Sequence, residues 1–396
     1  MITNSFPSLG VSEPVVRALA ARGITTPFPI QTLVIGDALT GQDVLAKSRT
    51  GSGKTLAFAL PIAERLSPGA KIRPQALILV PTRELAAQVT AEFADVAKAR
   101  HLRVAAAYGG VSIREQSQKV SKADILVATP GRLEDLLNRR LVRLDGVRIL
   151  VLDEADRMLD MGFEPQVAAI ARRLPTERQT MFFSATLEGE VGWLAARYTR
   201  NPIRHEVAST RQTVDEADHR FIPVSEHGKI DALIDILQTK DGRSLVFTRT
   251  KRGADRLVLK LRARGLTVSA MHGDLSQSQR ERTLAGFRSG KVSTLIATDV
   301  AARGLDVEGI DHVVNYDPPA DDNGYVHRVG RTARAGASGT GVTLVTPEQQ
   351  GDMGRMAARL QLAEEFRAEG MVVAPPRMVF SSRGRRAGMR RTRRRS

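Results

Sequence analysis

Short apolar runs rich in Leu, Ile and Val recur along the chain, and the segments between them carry apolar residues at helical spacing. In the first half these runs are ALILVPT (76–82), RVAAAYGG (103–110), DILVATP (124–130), ILVLDEAD (149–156) and TMFFSAT (180–186). In the second half they are SLVFTRT (244–250), TVSAMHG (267–273), TLIATDV (294–300), HVVNYD (312–317) and GVTLVTP (341–347). Strands that are apolar on both faces and alternate with helices predict parallel sheets covered by helices on each side.

The pattern therefore predicts the α/β class, with the same scheme used twice in tandem. We place the first domain at residues 1–207, a polar linker at 208–218 and the second domain at 219–373. A length of 396 residues agrees with more than one core. The carboxyl ends of parallel strands share one edge of a sheet, so most of the chemistry is expected at these two edges.

The charge of the chain is strongly positive and unevenly placed. Of the net +16, nine charges come from arginines between residues 377 and 395, where there is no acid, and the remainder carries +7. The segment 374–396 cannot build a core, so we predict a disordered basic tail that attracts phosphate. A basic body indicates a polyanionic partner, although a basic surface can also serve solubility alone.

The chain contains no Cys, which excludes disulfides and thiolate metal sites and fits a reducing compartment. Its first residues, MITNSFPSLG, lack the basic and apolar regions of a signal peptide. No apolar run approaches the ~20 residues of a membrane span. We therefore predict a cytoplasmic protein without a membrane partner.

A glycine-containing loop, SRTGSGKT (48–55), stands between the short strand DVLA and an apolar helical segment. Its glycines let successive backbone N–H groups point at a phosphate, Lys54 can reach the outer phosphates, and Thr55 can ligate Mg²⁺. A Gly-rich surface turn is the plain alternative, but the order strand, loop, helix favours a nucleotide site. The predicted phosphate-binding residues are Ser48, Arg49, Thr50, Gly51, Ser52, Gly53, Lys54 and Thr55.

The run ILVLDEAD concentrates carboxylates at the end of a predicted buried strand. This is the form of a Walker B strand, in which Asp153 holds Mg²⁺ through its water shell and Glu154 orients or deprotonates the attacking water. The metal is then the positive charge that lets the carboxylates coexist. Acidic residues also suit the first turn of a helix, and Asp156 fits that simpler interpretation.

Further motifs follow in a fixed order and together resemble the DEAD-box RNA helicases of superfamily 2, in the style of the bacterial RhlE-type group, over about residues 6–345. They are PTRELA (81–86), the pair 109–110, TPGR (129–132), DEAD (153–156), SAT (184–186), VFTRT (246–250), HGD (272–274), ATDVAARGLD (297–306) and HRVGRTAR (327–334). The resemblance implies two RecA-like domains with ATP bound between them, Mg²⁺ as the metal, and RNA laid across both. It implies an RNA-dependent ATPase that unwinds short RNA duplexes or remodels RNA–protein complexes.

Carried over by position, the resemblance assigns roles to individual residues. The implied catalytic residues are Lys54, Asp153, Glu154, His327, Arg331 and Arg334. Gln31 and the upstream Phe6 match the adenine-reading region, and Asp306 matches a ribose contact. Ser184 and Thr186 are implied to couple hydrolysis to RNA binding.

The implied RNA contacts lie in both domains. They are Pro81, Thr82, Arg83, Gly109, Gly110, Thr129, Pro130, Gly131 and Arg132 in the first domain, and Thr248, Arg249, Gly273, Thr298 and Arg303 in the second. Such groups grip phosphate and sugar, so little sequence preference is expected. An ATP-gated RNA clamp or assembly scaffold and a DNA helicase stay open as alternatives, and protein partners from ribosome assembly or RNA decay stay unidentified.

Two positions depart from the family pattern. Ile24 follows Gly23 where an aromatic residue usually stacks on adenine, so base affinity is expected to be weaker. Ala333 stands at the usual glycine of the last motif and is expected to leave Arg334 in place. Separately, the only Trp, Trp193, lies in EVGWLAARY at helical spacing, which favours a packing role over stacking on a base.

Overall fold

Seven parallel strands form the first sheet in a computed structural model that describes residues 5–48, 52–207, 217–239, 242–302, 307, 309–333 and 339–373. Its strands are β1 (Val44–Lys47), β2 (Ala76–Leu79), β3 (Val104–Ala107), β4 (Ile125–Ala128), β5 (Ile149–Asp153), β6 (Gln179–Ser184) and β7 (Ile203–Glu206). Its helices are a 3-10 turn (Pro7–Leu9), α1 (Glu13–Ala20), α2 (Pro29–Thr40), α3 (Lys54–Arg65), α4 (Arg83–Ala99), α5 (Ile113–Val120), α6 (Pro130–Asn138), α7 (Ala155–Asp160), α8 (Glu164–Ala171) and α9 (Gly189–Tyr198).

Six parallel strands form the second sheet. They are β8 (Ala217–Pro223), β9 (Ser244–Phe247), β10 (Val268–Met271), β11 (Thr294–Ala297), β12 (His312–Asn315) and β13 (Gly339–Val345). The helices of this half are α10 (Lys229–Thr239), α11 (Lys251–Arg262), α12 (Gln277–Arg288), α13 (Asp299–Ala302), α14 (Asp322–Val329), α15 (Gln350–Arg359) and α16 (Ala363–Ala368).

The two sheets share one topology. The first has the order β3-β4-β2-β5-β6-β1-β7 and the second has the order β10-β11-β9-β12-β13-β8. If β7 is set aside, the strands correspond one to one, from β1 with β8 to β6 with β13. The carboxyl ends of both sets of strands therefore form equivalent edges, where ligands of parallel α/β sheets bind.

Both faces of the central strands are buried, as the apolar runs predicted. On β2 and β5, Ile78 and Val151 belong to one apolar cluster while their neighbours Leu79 and Leu152 belong to another. Successive side chains of a strand point to opposite faces, so the two clusters are the two helix-covered sides of the sheet. The predicted α/β fold with two helix-flanked parallel sheets is thus confirmed.

The edge strands β7 and β8 were not predicted. Their burial alternates along the strand, with exposed Arg204 and Arg220 between more buried positions, so neither reads as a continuous apolar run. Strand β8 begins at Ala217 and pairs with β13. It therefore takes up the last two residues of the segment predicted as a linker, and residues 208–216 lie outside the described part.

None of the helices in the described part of the chain is long and apolar enough to span a bilayer.

Candidate functional site

The loop before α3 places Lys54 at the carboxyl edge of β1. Gly53 has a left-handed φ of 81° immediately before the helix begins at Lys54. Lys54 is 7 % exposed, and its Nζ donates to the carbonyl oxygen of Ser48 over 3.2 Å. A Cβ at Gly53 would lie 2.6 Å from Nε2 of Gln31, so this approach requires glycine. A buried ammonium beside the first turn of a helix is a suitable environment for phosphate.

Gln31 ties the loop to α2. Its Nε2 donates to the Gly53 carbonyl oxygen over 2.9 Å, and its Oε1 accepts from the Phe28 N–H over 2.9 Å. The side chain is fully buried, so in this arrangement it fixes the loop, and its contact with adenine stays a prediction.

Phe28 offers an aromatic face beside the loop that the motif pattern did not predict. The ring is 54 % exposed, and its Cδ2 lies 2.7 Å from the position of a Cβ built on Gly53. Ile24, by contrast, packs partly buried against the core cluster. The feature that identifies Phe28 is the exposure of a large ring next to a tight glycine loop. This feature is a property of the folded chain, so the sequence alone does not reveal it.

Phe6 requires a correction. It was predicted to contact the nucleotide, but it is 1 % exposed and belongs to the apolar cluster that contains Ile30 and Val34 of α2. A ring so enclosed has no surface left for a ligand. Phe6 therefore supports α2 from within the core.

Strand β5 delivers two carboxylates to the same edge. Asp153 is 2 % exposed and Glu154 is 4 % exposed, and Oδ1 of Asp153 accepts from the Glu154 N–H over 3.0 Å. Glu154 has a left-handed φ of 52°, a strained conformation that is most common at functional sites. Burial raises the pKa of Asp153 to about 6, although Lys54 opposes the shift.

Arg157 neutralises Glu154, and this pair was not predicted. Nη1 of Arg157 donates to Oε2 of Glu154 over 2.6 Å, and the two side chains are 3 % and 4 % exposed. Burial raises the pKa of Glu154, but Arg157, Lys54 and Arg331 together bring it below its ordinary value. The sequence predicted that Mg²⁺ is the positive charge that lets these carboxylates coexist. The Arg157 guanidinium supplies part of that charge from the protein itself. The signal in the sequence was the spacing of three residues, because Arg157 lies in the first turn of α7 and Glu154 is the residue just before that helix.

The segment after β6 is bonded to both halves of this centre. The Ser184 carbonyl oxygen accepts from the Ser48 N–H over 3.0 Å, and the Ser184 Oγ accepts from the Asp156 N–H over 3.4 Å. Asp156 in turn accepts from the Ala185 N–H over 3.3 Å, and the Thr186 N–H donates to the Ser184 Oγ over 3.3 Å. Ser184 therefore connects the loop, through Ser48, to the segment after β5, through Asp156, and Thr186 is bonded to Ser184.

The second domain brings α14 and the residues after it to the carboxylates of the first domain. Arg331 is 4 % exposed, contributes to the lowered pKa of Glu154, and donates from Nε to the His327 carbonyl oxygen over 3.3 Å. Burial and the nearby Arg157 lower the pKa of His327 to about 4, although the negative charge of Asp156 favours a higher pKa. The imidazole is therefore neutral at pH 7. Charges from both domains thus act on one another at this site.

Arg328 holds α14 in place. Its guanidinium makes two bonds to the Asp299 carboxylate, of 2.6 and 2.7 Å, and a third of 2.6 Å to the Asp317 carbonyl oxygen. It also lies 5.0 Å from the ring centroid of Phe247. A fully bonded, 4 % exposed arginine of this kind fixes the helix that presents His327 and Arg331.

A cleft of about 470 Å³ collects most of the predicted RNA contacts from both domains. Those that line it are Pro81, Thr82, Arg83, Gly109, Thr129, Gly131 and Arg132 of the first domain and Gly273 of the second. Thr82 and Thr129 precede α4 and α6, so the first N–H groups of two helices add to the two arginines. This is a surface for phosphate and sugar.

An ion pair joins the domains within this cleft. Nη2 of Arg280 lies 2.9 Å from Oε1 of Glu84, and the side chains are 12 % and 11 % exposed. The pair links α4 to α12 across the cleft, and no motif spacing could have predicted it because the partners are distant in the chain.

The remaining predicted contacts lie at the same edges or outside the described residues. Gly110 has a left-handed φ of 86° beside Arg83, and Pro130 is the first residue of α6. Thr248 and Thr298 are buried just after β9 and β11, and Arg249 lines a different cavity. The predicted site residues outside the described part are Arg49, Thr50, Gly51, Arg303, Asp306 and Arg334, and the predicted basic tail lies there too.

Known sequences resemble this chain over most of its length. Residues 28–192 match the profile of the DEAD/DEAH box helicase family, and residues 228–336 match that of the helicase conserved C-terminal domain. Over 346 residues the chain is 41 % identical to the ATP-dependent RNA helicase CshA of Limosilactobacillus reuteri, covering 87 % of this chain and 69 % of that protein. Over 351 residues it is 44 % identical to the DEAD-box ATP-dependent RNA helicase 53 of Oryza sativa subsp. japonica, covering 86 % of this chain and 58 % of that protein.

A solved structure agrees with the arrangement of both domains. S. cerevisiae Dbp5 bound to RNA and ADP BeF3 is 31 % identical and superposes with a TM-score of 0.83, covering 91 % of this chain and 94 % of that one. The score spans both sheets, so the domains are placed much as in a complex that holds RNA and a nucleotide. The narrower resemblance to the RhlE-type group stays a prediction.

Proposed function

Because the chain belongs to the DEAD-box helicase family, we propose that it is an ATP-dependent RNA helicase that couples ATP hydrolysis to local unwinding of RNA duplexes or remodelling of RNA–protein complexes. The observation that carries the proposal is a catalytic centre shared between domains, in which the charge of Arg331 from one domain helps lower the pKa of Glu154 in the other. A cleft lined from the same two domains supports RNA as the ligand that brings them together.

ATP binds at the edge of the first sheet in this proposal. Lys54 and the first turn of α3 would hold its phosphates, and Thr55 and Asp153 would hold Mg²⁺. The residues fit the metal because a hydroxyl and a buried carboxylate are the oxygen donors that Mg²⁺ prefers. A bound divalent cation would also favour the ionised form of Asp153, whose pKa burial raises to about 6. When bound, Mg²⁺ neutralises phosphate charge.

Hydrolysis is divided between the domains. Glu154, kept ionised by Arg157, orients or deprotonates the attacking water. Arg331 stabilises the negative charge that develops on the transferred phosphoryl group, an effect of about 10³ to 10⁵ in rate for such arginines. Since the two groups come from different domains, turnover requires the domains to meet, and RNA bound across both favours that state.

The cleft grips RNA through backbone and small polar groups, so we propose sequence-independent binding. Closure would then bend one strand and displace its partner locally. Cytoplasmic location and protein partners stay predictions.

ATP turnover titrated with single-stranded RNA, duplex RNA and DNA tests the function. We expect RNA to raise turnover more than DNA does, and duplex RNA to separate only when ATP is present. Tight ATP-dependent RNA binding without strand separation would instead indicate a clamp, and equal stimulation by DNA would contradict the choice of nucleic acid.

Phe28 is expected to take the place of the missing aromatic at position 24 by stacking on the base. Phe28→Ala should raise the KM for ATP several-fold, since aromatic pairs contribute about 0.5–1.5 kcal/mol beyond burial, with little change in kcat. Phe28→Tyr should behave like the native chain. Leu33→Ala, at an exposed apolar residue of α2, the helix that begins just after Phe28, is the matched control. An unchanged KM in Phe28→Ala rules out the stacking role.

The basic tail is expected to add salt-sensitive RNA affinity. Deleting residues 377–396 removes nine arginines, so RNA binding should weaken. The slope of log affinity against log salt concentration should become shallower by ~0.7 for each phosphate that the tail no longer neutralises. Replacing the same arginines with serine at constant length controls for chain length. A salt slope equal to that of the full chain would discard this role.

A further inference from the structure

The second domain contains a cavity of about 480 Å³ that is separate from the cleft and from the carboxylates described above, and one predicted RNA contact, Arg249, lines it. It opens at the carboxyl edge of the second sheet, where β8, β9 and β12 end. Four cations line it, Lys229, Arg249, Arg256 and Lys260, against two acids, Glu226 and Asp317. Its volume lies within the range of small-molecule sites.

The cavity occupies the position in the second sheet that the nucleotide loop occupies in the first. Strand β8 corresponds to β1 in the shared topology, and the helix after each strand begins at the lysine of a Gly–Lys pair. Lys229 of α10 is therefore the counterpart of Lys54 of α3. Asp317, which follows β12, stands at the counterpart of the β5 end, and its Oδ1 lies 3.1 Å from Nζ of Lys229.

Positive charge in the cavity exceeds what its acids neutralise. Asp317 is shared, since its Oδ2 also accepts from the Arg249 N–H over 2.8 Å. In the described part of the chain, no carboxylate lies within 4.0 Å of the guanidinium groups of Arg249 and Arg256 or of the ammonium of Lys260. The Lys229 side chain is only 3 % exposed, and its Nζ lies 4.7 Å from the ring centroid of Tyr316. Clustered cations around a recess attract an anion.

We propose that this cavity binds a small phosphate-bearing anion of the size of pyrophosphate or the diphosphate portion of a nucleotide. The start of α11 adds to the start of α10, so two helices direct their first N–H groups to this edge. The site binds without hydrolysing, because Pro318 and Pro319 follow Asp317 where the first domain has the acid Glu154.

The test is calorimetric titration of inorganic pyrophosphate into the full chain saturated with ADP, which fills the first-domain site. Native protein should bind pyrophosphate, and the exposed pair Arg256→Ala with Lys260→Ala should bind at least about tenfold more weakly. Arg252→Ala, an exposed arginine of the same helix that does not line the cavity, is the matched control and should bind as the native chain does. The arginine-rich tail is present in all three proteins and cancels from the comparison.

Three results would overturn the site: no binding to the native chain, equal binding by the double variant, or an equal loss in Arg252→Ala. RNA-stimulated ATP turnover of the double variant, measured without pyrophosphate, should stay at the native level. ATP turnover and pyrophosphate binding are therefore measured independently, so the proposed anion site can be wrong while the proposed helicase activity is right, and the reverse.

Discussion

Arg331→Ala is expected to lower RNA-stimulated ATP turnover by about 10³-fold or more while leaving ATP binding nearly intact. The guanidinium acts on Glu154 from the opposite domain, whereas Lys54 and the loop that hold the nucleotide belong to the first domain. Loss of Arg331 should therefore remove stabilisation of the transition state and spare the ground state. Steady-state turnover at saturating RNA and binding of a fluorescent nucleotide analogue measure the two separately.

Two further variants sharpen this experiment. Arg331→Lys keeps the charge but not the planar fork, so it should recover only a small part of the rate. Arg359→Ala removes an arginine whose side chain is 57 % exposed and which pairs with Asp322 at the start of α14. It should turn over at nearly the native rate. Turnover of Arg331→Ala within a few-fold of native would contradict a shared catalytic centre.

Arg157→Ala should both destabilise the first domain and abolish most turnover. Removing one partner of a buried ion pair leaves the other charge uncompensated, which costs about 3–5 kcal/mol. Here the uncompensated group is the Glu154 carboxylate, whose own side chain is 4 % exposed. Urea unfolding followed by circular dichroism measures the loss of stability, and ATP turnover measures the loss of function.

A double-mutant cycle separates charge pairing from packing at this position. Glu154→Gln removes the buried charge, so adding Arg157→Ala to it should cost much less than adding Arg157→Ala to the native chain. If Arg157→Ala costs the same free energy of unfolding in both backgrounds, Arg157 acts through packing alone and its role in holding Glu154 is wrong.

The central strands were predictable because burial on both faces leaves an unmistakable apolar run. Strands β7 and β8 were missed for the opposite reason, since an edge strand contacts water on one side and carries residues such as Arg204 and Asp218. Trp193 shows the limit of helical spacing as a signal. The buried stripe of α9 is Val191, Leu194 and Ala195, which leaves Trp193 on the outer face, 59 % exposed and 5.4 Å from the Arg197 guanidinium carbon.

In the catalytic centre, the motifs predicted that Lys54, Asp153, Glu154, His327 and Arg331 lie near one another but did not predict what holds them. Phe28 became apparent only through its exposure beside Gly53, and the pair of Glu84 with Arg280 depends on how two distant segments meet. Ala333 adds a conformational point, because it keeps a left-handed φ of 50° at the position where a glycine is usual. The left-handed conformation costs an alanine about 1 kcal/mol or more, so the surrounding structure must stabilise the backbone of Ala333 in it.

The most direct test of a shared catalytic centre is the distance between the domains in solution. The native chain has no Cys, so exposed positions such as Lys98 and Arg264 can be changed to Cys and labelled for single-molecule energy transfer. We expect the labels to approach only when RNA and a nonhydrolysable ATP analogue are present together, and to stay apart with either ligand alone. An unchanged separation under all conditions, in a protein whose ATP turnover is still stimulated by RNA, would contradict assembly of the site by domain closure.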